Sequence, residues 1–202
     1  MVTGKAVEDC GWSGREEATG GGVIYVVEEY VKQLGLSHAD KTVVIQGFGN
    51  VGTNAARFAH EAGAKIIGIG DVSGGIYDGK GLNIPEMIDY ARKNRGLTGY
   101  TTKFLNNEEL LCVPCDVLIP AALGGVITAE VARKLQAGMV AEGANEPTLP
   151  DGDANINQRG IPVIADILSN ARGVYVSHPR RPQHIPQFRM DIQRFTGEQL
   201  RA

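Results

Sequence analysis

Apolar residues along this chain fall into short β-branched runs separated by stretches with helical spacing. TVVIQ (42–46) and KIIGIG (65–70) read as strands, and between them NVGTNAARFAHEAG (50–63) places Val51, Ala55, Phe58 and Ala59 on one helical face. Upstream, Glu16 to Leu34 carries Val23, Val26, Val27, Tyr30, Val31 and Leu34 at helical spacing, with Gly35 as its stop. Downstream, the pattern predicts a helix over Ile84 to Asn94 ended near Gly96, then a strand over Asp116 to Ile119. Thr128 can cap a helix reaching Gln136, and Met139 to Ala141 is a further strand. A helix over Asp153 to Gln158 and a strand over Ile161 to Ala165 follow. Val72 to Gly81 reads as the loop leaving the second strand. Apolar strands alternating with helices predict an α/β chain with a mostly parallel sheet covered on both faces.

The turn between the first strand and its helix is GFGNVG, and its glycines stand at the spacing of a dinucleotide-binding turn. Gly47 would permit the tight bend off the strand, Gly49 would let backbone approach a pyrophosphate, and Gly52 would let the helix pack closely on the sheet. An anion there meets free N–H groups and the positive end of the helix dipole. Asp71, 19 residues past Gly52, ends the second strand where a carboxylate can accept ribose hydroxyls. The fold expected is therefore Rossmann-like and doubly wound. In such sheets ligands gather at the carboxyl ends of the strands, which here carry GFGNVG, Asp71, PAALGG, EGANEP and DILSN. Ala121 and Ala122 are small enough for a ring to lie against backbone, and Asn145 and Asn170 offer amide donors and acceptors.

Composition narrows the classes. A chain of 202 residues suits one large domain with an appendage, here 1–178 and 179–202. A net charge of −3 gives no electrostatic reason to expect nucleic acid or an anionic membrane. No apolar run reaches the roughly 18 residues of a membrane span, and the N-terminus lacks a signal-like apolar stretch, so the expected location is cytoplasmic. Glycine, at 27 residues, is about twice its usual share of roughly 7%, which fits many backbone-controlled turns. Cys112 and Cys115 form a CxxC that reads either as a redox or metal pair, or as two thiols opening a buried strand, since DVLIP follows directly. Zinc would require two further ligands and no second pair is present, so no metal is expected. Cys10 is left unpaired, as in a reducing compartment.

Several longer motifs carry a closer likeness. VTGK (2–5), GREEATG (14–20), VVIQGFGNVG (43–52), GGIYD (74–78), DVLIPAAL (116–123), VAEGAN (140–145) and ADILSN (165–170) together resemble the cofactor-binding domain of hexameric glutamate dehydrogenases. These belong to the wider Glu/Leu/Phe/Val dehydrogenase group. The resemblance implies reversible oxidative deamination of L-glutamate to 2-oxoglutarate and ammonium, with hydride passing to NAD or NADP. It implies that amides of Phe48, Gly49, Asn50 and Val51 hold the pyrophosphate and Asp71 the adenosine ribose. Ala121 and Ala122 would lie on the nicotinamide side. Arg15 and Thr19 would approach the carboxamide from below with Asn145 and Asn170 nearby, and Ser177 would meet the substrate's distal carboxylate.

The resemblance also sets limits. In these enzymes a domain preceding VTGK supplies the substrate-binding lysines and a catalytic aspartate, so glutamate and 2-oxoglutarate are expected as ligands only with such a domain. A non-catalytic NAD(H)-binding module, or a truncated and inactive paralogue, are the alternative readings. A homo-oligomer is compatible with all three. NAD is the expected cofactor because Asp71 repels a 2′-phosphate, with NADP kept open by Ser73 and Lys80. The sequence departs from the family at Arg172, for a glycine in NAGG, and at Glu146, for the glycine of EGANGP. Where glycine serves a positive φ, such a change costs on the order of 1 kcal/mol. Prolines 179, 182 and 186 exclude a regular helix across HPRRPQHIP, and periodicity returns at Phe188, Ile192 and Phe195. The cations His178, Arg180, Arg181 and His184 read either as an anion site for a 2′-phosphate or as a solvated segment.

Overall fold

The computed structural model describes residues 15–39, 41–101 and 105–170. Its elements run α1 (Arg15–Gln33), β1 (Thr42–Gln46), α2 (Asn50–Glu61), β2 (Lys65–Asp71), β3 (Gly74–Tyr77), α3 (Ile84–Asn94), α4 (Asn107–Leu111), β4 (Cys115–Pro120), α5 (Ala129–Lys134), β5 (Ala137–Ala141), α6 (Pro150–Gln158), β6 (Val163–Ile164) and α7 (Asp166–Ser169). The six strands form one sheet in the order β3-β2-β1-β4-β5-β6. Every neighbouring pair is parallel except β2 and β3. The chain therefore winds outward in one direction from β1 and in the other from β4. The order reverses between those two central strands, and in sheets of this kind ligands bind at the carboxyl ends of the strands at such a reversal.

Side chains of β1 alternate between two core layers, as a strand covered on both faces requires. Val43 and Ile45 face the layer that holds Val23 and Val27 of α1, Ala55 and Ala59 of α2 and Met87 of α3. Val44, with Leu118 and Val140, faces the layer of Leu110, Val131, Leu135 and Ile156. The expected inward face of α1 holds at Val23, Val27 and Val31, but Leu34 stands 57% exposed because it lies past the helix end, after Gln33. Caps follow the sequence signals: Thr128 accepts from the Val131 amide at 3.3 Å, and Asn83 caps α3 by accepting from the Glu86 amide at 3.3 Å.

Two regions differ from the sequence pattern. The segment expected to be a loop after Asp71 contains β3, a GGIY strand antiparallel to β2. Its glycines hide it: a Cβ on Gly75 would lie 2.9 Å from Cβ of Leu110, and one on Gly70, across the pair in β2, 2.5 Å from Leu110 Cδ2. Leu110 thus packs directly on backbone, which gives the strand glycines in place of an alternating apolar face. Leu110 belongs to α4, a five-residue helix too short to show periodicity but closed by a reciprocal capping box between Asn106 and Glu109. The expected terminal helix, Arg172, Cys10 and the 178–186 cations lie outside the described residues.

Candidate functional site

The carboxyl edge of the sheet brings three turns into contact. The amide of Gly47, at the end of β1, donates to the Gly70 carbonyl of β2 at 2.8 Å, and the amide of Ala121 donates to the Gln46 carbonyl at 2.7 Å. Beyond β5, the amides of Gly143 and Ala144 both donate to the Pro120 carbonyl, at 3.0 and 2.9 Å. A Cβ on Gly143 would lie 3.2 Å from Ala121 Cβ and 3.4 Å from Val51 Cγ1. Gly47, Gly52, Val51, Ala121 and the EGAN turn are therefore one packed unit, as the sheet topology requires of the segments around its reversal.

The three glycines of the turn are explained by three different surroundings. Gly47 has φ +107, and a Cβ there would stand 2.7 Å from the Ala122 amide; both backbone conformation and space exclude a side chain. At Gly52 a Cβ would run into the Gly47 carbonyl oxygen. Gly49, by contrast, has φ −80 and no protein atom within 4 Å of a Cβ position. Nothing in the protein itself requires glycine there, which leaves open space directly beside the first turn of α2. That helix has Gly49 as N-cap with no side chain capping it and no acid in its first turn. An acid-free helix start with no side-chain cap, beside a bare backbone with open space, fits an anionic ligand.

Phe48 is half-buried and packs against the α1–α3 core, while Asn50 is exposed and its carbonyl accepts from Asn54 Nδ2 at 2.9 Å. Thr53 Oγ donates to the Phe48 carbonyl at 2.9 Å, which holds the turn against the helix. Ala121 is buried and Ala122 exposed. Thr19 is half-buried in α1, one residue before Gly20, whose Cβ position lies 2.6 Å from the Val51 carbonyl oxygen. The start of α1 is thereby pressed against the turn. Arg15 opens α1, and its side chain lies outside the described residues, as does Ser177.

Asp71 sits at the end of β2, as expected, but its carboxylate already has protein partners. Oδ1 accepts from the Ser73 amide at 2.7 Å and from Ser73 Oγ at 2.5 Å, and Oδ2 accepts from the Leu97 amide at 2.7 Å. An ionised carboxylate offers about four acceptor positions, so room remains for one more donor. Asn145 and Asn170 meet directly: Asn170 Nδ2 donates to Asn145 Oδ1 at 2.7 Å. Sequence reasoning passed over the acid just ahead of them. Glu142 is buried; its carboxylate accepts from Thr148 Oγ at 2.6 Å and from the Asp166 amide at 3.1 Å. Glu146 adopts φ +46, so this position does use the left-handed region in which glycine is favoured.

The two cysteines of the CxxC are free thiols, Cys112 at the C-terminal cap of α4 and Cys115 buried at the start of β4. Burial, with the Asp116 charge adding to it, pushes the Cys115 thiol up to about 12. Burial and Glu108 raise that of Cys112, with Lys134 opposing in part. Thiols held protonated in this way are poor nucleophiles and metal ligands, and the pair reads as part of the core. At pH 8, iodoacetamide should leave Cys115 unmodified in the folded chain and alkylate it fully in urea, as read by peptide mass spectrometry. Equal alkylation in both states would contradict this. Among the described residues no three His, Cys, Asp or Glu side chains converge as a metal site would need, and no helix is long and apolar enough to cross a membrane.

Comparison with known proteins gives a consistent result. Residues 10–199 match the family model of the Glutamate/Leucine/Phenylalanine/Valine dehydrogenases. The catabolic NAD-specific glutamate dehydrogenase RocG of Bacillus subtilis is 45% identical over 178 residues, which cover 88% of this chain and 42% of that protein. Glutamate dehydrogenase A2 of Halobacterium salinarum is 43% identical over 194 residues, 96% of this chain and 47% of that one. The hetero-hexameric glutamate dehydrogenase of Thermus thermophilus superposes with a TM-score of 0.88 at 30% identity, over 98% of this chain and 47% of its own. The chain thus spans about half the length of the relatives it matches.

Proposed function

The chain belongs to the Glutamate/Leucine/Phenylalanine/Valine dehydrogenase family, and from that premise we propose that it is the dinucleotide-binding part of a glutamate dehydrogenase. The observation that carries this reading is the bare backbone at Gly49, which the protein's own packing does not require, beside an uncapped helix start. Amides of Phe48, Gly49, Asn50 and Val51 would hold the pyrophosphate. The free acceptor position of Asp71 would take the adenosine ribose. Ala121 and Ala122 would form the wall against which the nicotinamide half lies, with Thr19, Asn145 and Asn170 around its carboxamide and Arg15 approaching from α1.

When bound, NAD supplies the hydride acceptor for oxidation of an amino acid at its α-carbon. This chain's residues would orient that acceptor: the turn fixes the phosphates, the alanines leave one ring face close to backbone, and the two asparagines hold the carboxamide. Hydride transfer gains from such placement because a positioned pair of reactants forgoes much of the entropy cost of meeting. The matched relatives carry more than half of their length outside the aligned part. There we place the cations that hold the substrate carboxylates and the base that accepts the ammonium proton. On this reading the 202-residue chain binds dinucleotide but forms negligible NADH from glutamate in a spectrophotometric assay; sustained turnover would place the missing groups within it.

Cofactor choice rests on Asp71. Replacing it by alanine should weaken NADH about tenfold, the worth of one hydrogen bond to a charged acceptor, and weaken NADPH less, since the repulsion of the 2′-phosphate goes with it. Asp71 also anchors the turn at Leu97, but any loss of local order acts on both cofactors and cancels in the ratio. Calorimetric titration of both dinucleotides reads this directly. Parallel weakening would mean that Asp71 is a structural residue and that the ribose lies elsewhere.

A further inference from the structure

The turn after β5 and the short α7 are separate in sequence and tied in space through one buried acid. Glu142 is 7% exposed, and the two groups that donate to its carboxylate, a hydroxyl and a backbone amide, are neutral. One carboxylate oxygen accepts from Thr148 Oγ at 2.6 Å, on the far side of the EGANEP turn, and the other from the Asp166 amide at 3.1 Å, at the start of α7. Its backbone carbonyl accepts from the buried Ser169 hydroxyl, and its amide donates to the Ile164 carbonyl at 3.0 Å. The tie is returned: Asp166 Oδ2 accepts from the Glu146 amide at 2.8 Å. Between these two cross-links and the end of α7 stand Asn145 and Asn170, joined side chain to side chain at 2.7 Å.

A carboxylate is a costly thing to bury, and a turn could be closed by cheaper groups. What a carboxylate does here that an amide or hydroxyl does less well is accept from two donors on different segments at once, and at short distance. Glu142 fixes the separation between the β5 turn and α7, and that separation sets how the two asparagine amides face one another. Glu146, held at a positive φ, is locked in the same frame. We propose that Glu142 is a positioning residue for cofactor recognition: it acts through Asn145 and Asn170 and selectively supports the nicotinamide half of the site. The adenosine half is built on β1, β2 and the α2 start; the EGAN turn packs on Val51 at Gly143, but none of the clamp's hydrogen bonds reaches that half. The proposal rests on the dinucleotide reading given above.

The test compares the wild-type chain with E142A and T148V, each titrated with NADH and with ADP-ribose, which lacks the nicotinamide. The wild type should prefer NADH. E142A should lose roughly tenfold of that preference and T148V about threefold, in proportion to the hydrogen bonds removed, while ADP-ribose binds all three chains alike. A clamp that merely held the fold together would weaken both ligands in parallel, and that result, or an unchanged preference in both variants, overturns the proposal. If circular dichroism shows E142A unfolded, T148V decides alone, because it removes one donor and keeps the side-chain shape; an unchanged preference there is a refutation. A wild-type chain that binds both ligands equally would overturn the nicotinamide assignment itself, whereas a wild-type preference that survives in the variants overturns only the role of Glu142.

Discussion

A Gly52→Ala chain is expected to lose about 3 kcal/mol of stability, at the upper end of what overpacking costs, together with measurable dinucleotide binding. The added methyl would run into the carbonyl oxygen of Gly47, with Ile45 Cγ2 3.4 Å away on another side. That carbonyl has no freedom to retreat. The Gly47 amide is bonded to Gly70, φ is +107, and the residue is hemmed by the backbone of Ala121 and Ala122. Relief must come from sliding α2 off the sheet, which opens the contact of Ala55 and Ala59 with Val43 and Ile45. Chemical denaturation, with fluorescence as the probe, measures the loss; a variant within 0.5 kcal/mol of the parent would show that α2 does not pack where it is described.

Gly49→Ala should behave in the opposite way. Its φ of −80 suits any residue and its Cβ would point into open space, so folding stability should stay within about 1 kcal/mol of the parent, the unfolded chain's lost freedom offsetting the poorer N-cap that alanine makes. NADH affinity should nonetheless fall by about tenfold or more, since the methyl stands where phosphate oxygens must approach the amides. The pair of variants separates two reasons for keeping a glycine, one internal to the protein and one belonging to its ligand. Undiminished affinity in Gly49→Ala would remove the main support for a pyrophosphate at this turn.

Much of this arrangement is legible in the amino-acid sequence, and the illegible parts share a cause. TVVIQ, the helix after it and KIIGIG announce themselves because β-branched runs and 3.6-residue periodicity are local properties. The order β3-β2-β1-β4-β5-β6 is not such a local property and comes from the folded chain. β3 does not announce itself, because its glycines exist to let Leu110 lie on the backbone, and that partner is some 35 residues away in the chain. Strands chosen for what packs on them lose the alternation that marks a strand. Short α4 and α7 carry too few residues to show a period, although the Asn106–Glu109 box was there to be read.

The candidate site divides in the same way. Gly47 directly follows β1, Asp71 ends β2, Gly52 lies in the first turn of α2 and Ala121 directly follows β4, positions that the alternation of strands and helices already implies. What spacing cannot give is a side chain's existing commitments. Asp71 looks like a free acid in sequence, yet three protein donors already use it. Glu142, in a short polar turn, looks like a solvent-facing residue, and only the folded chain shows it buried between Thr148 and Asp166. The positive φ at Glu146 could be anticipated only through the family's glycine at that place, and the backbone bears it out.

The account stands most directly on calorimetric titration of the wild-type chain with NADH, followed by displacement with ADP-ribose. It predicts saturable binding of one NADH per chain and its competitive displacement, since the phosphates and the adenosine ribose are held by the same turn and the same carboxylate. An absence of binding at millimolar NADH, or NADH binding that ADP-ribose leaves untouched, would contradict it.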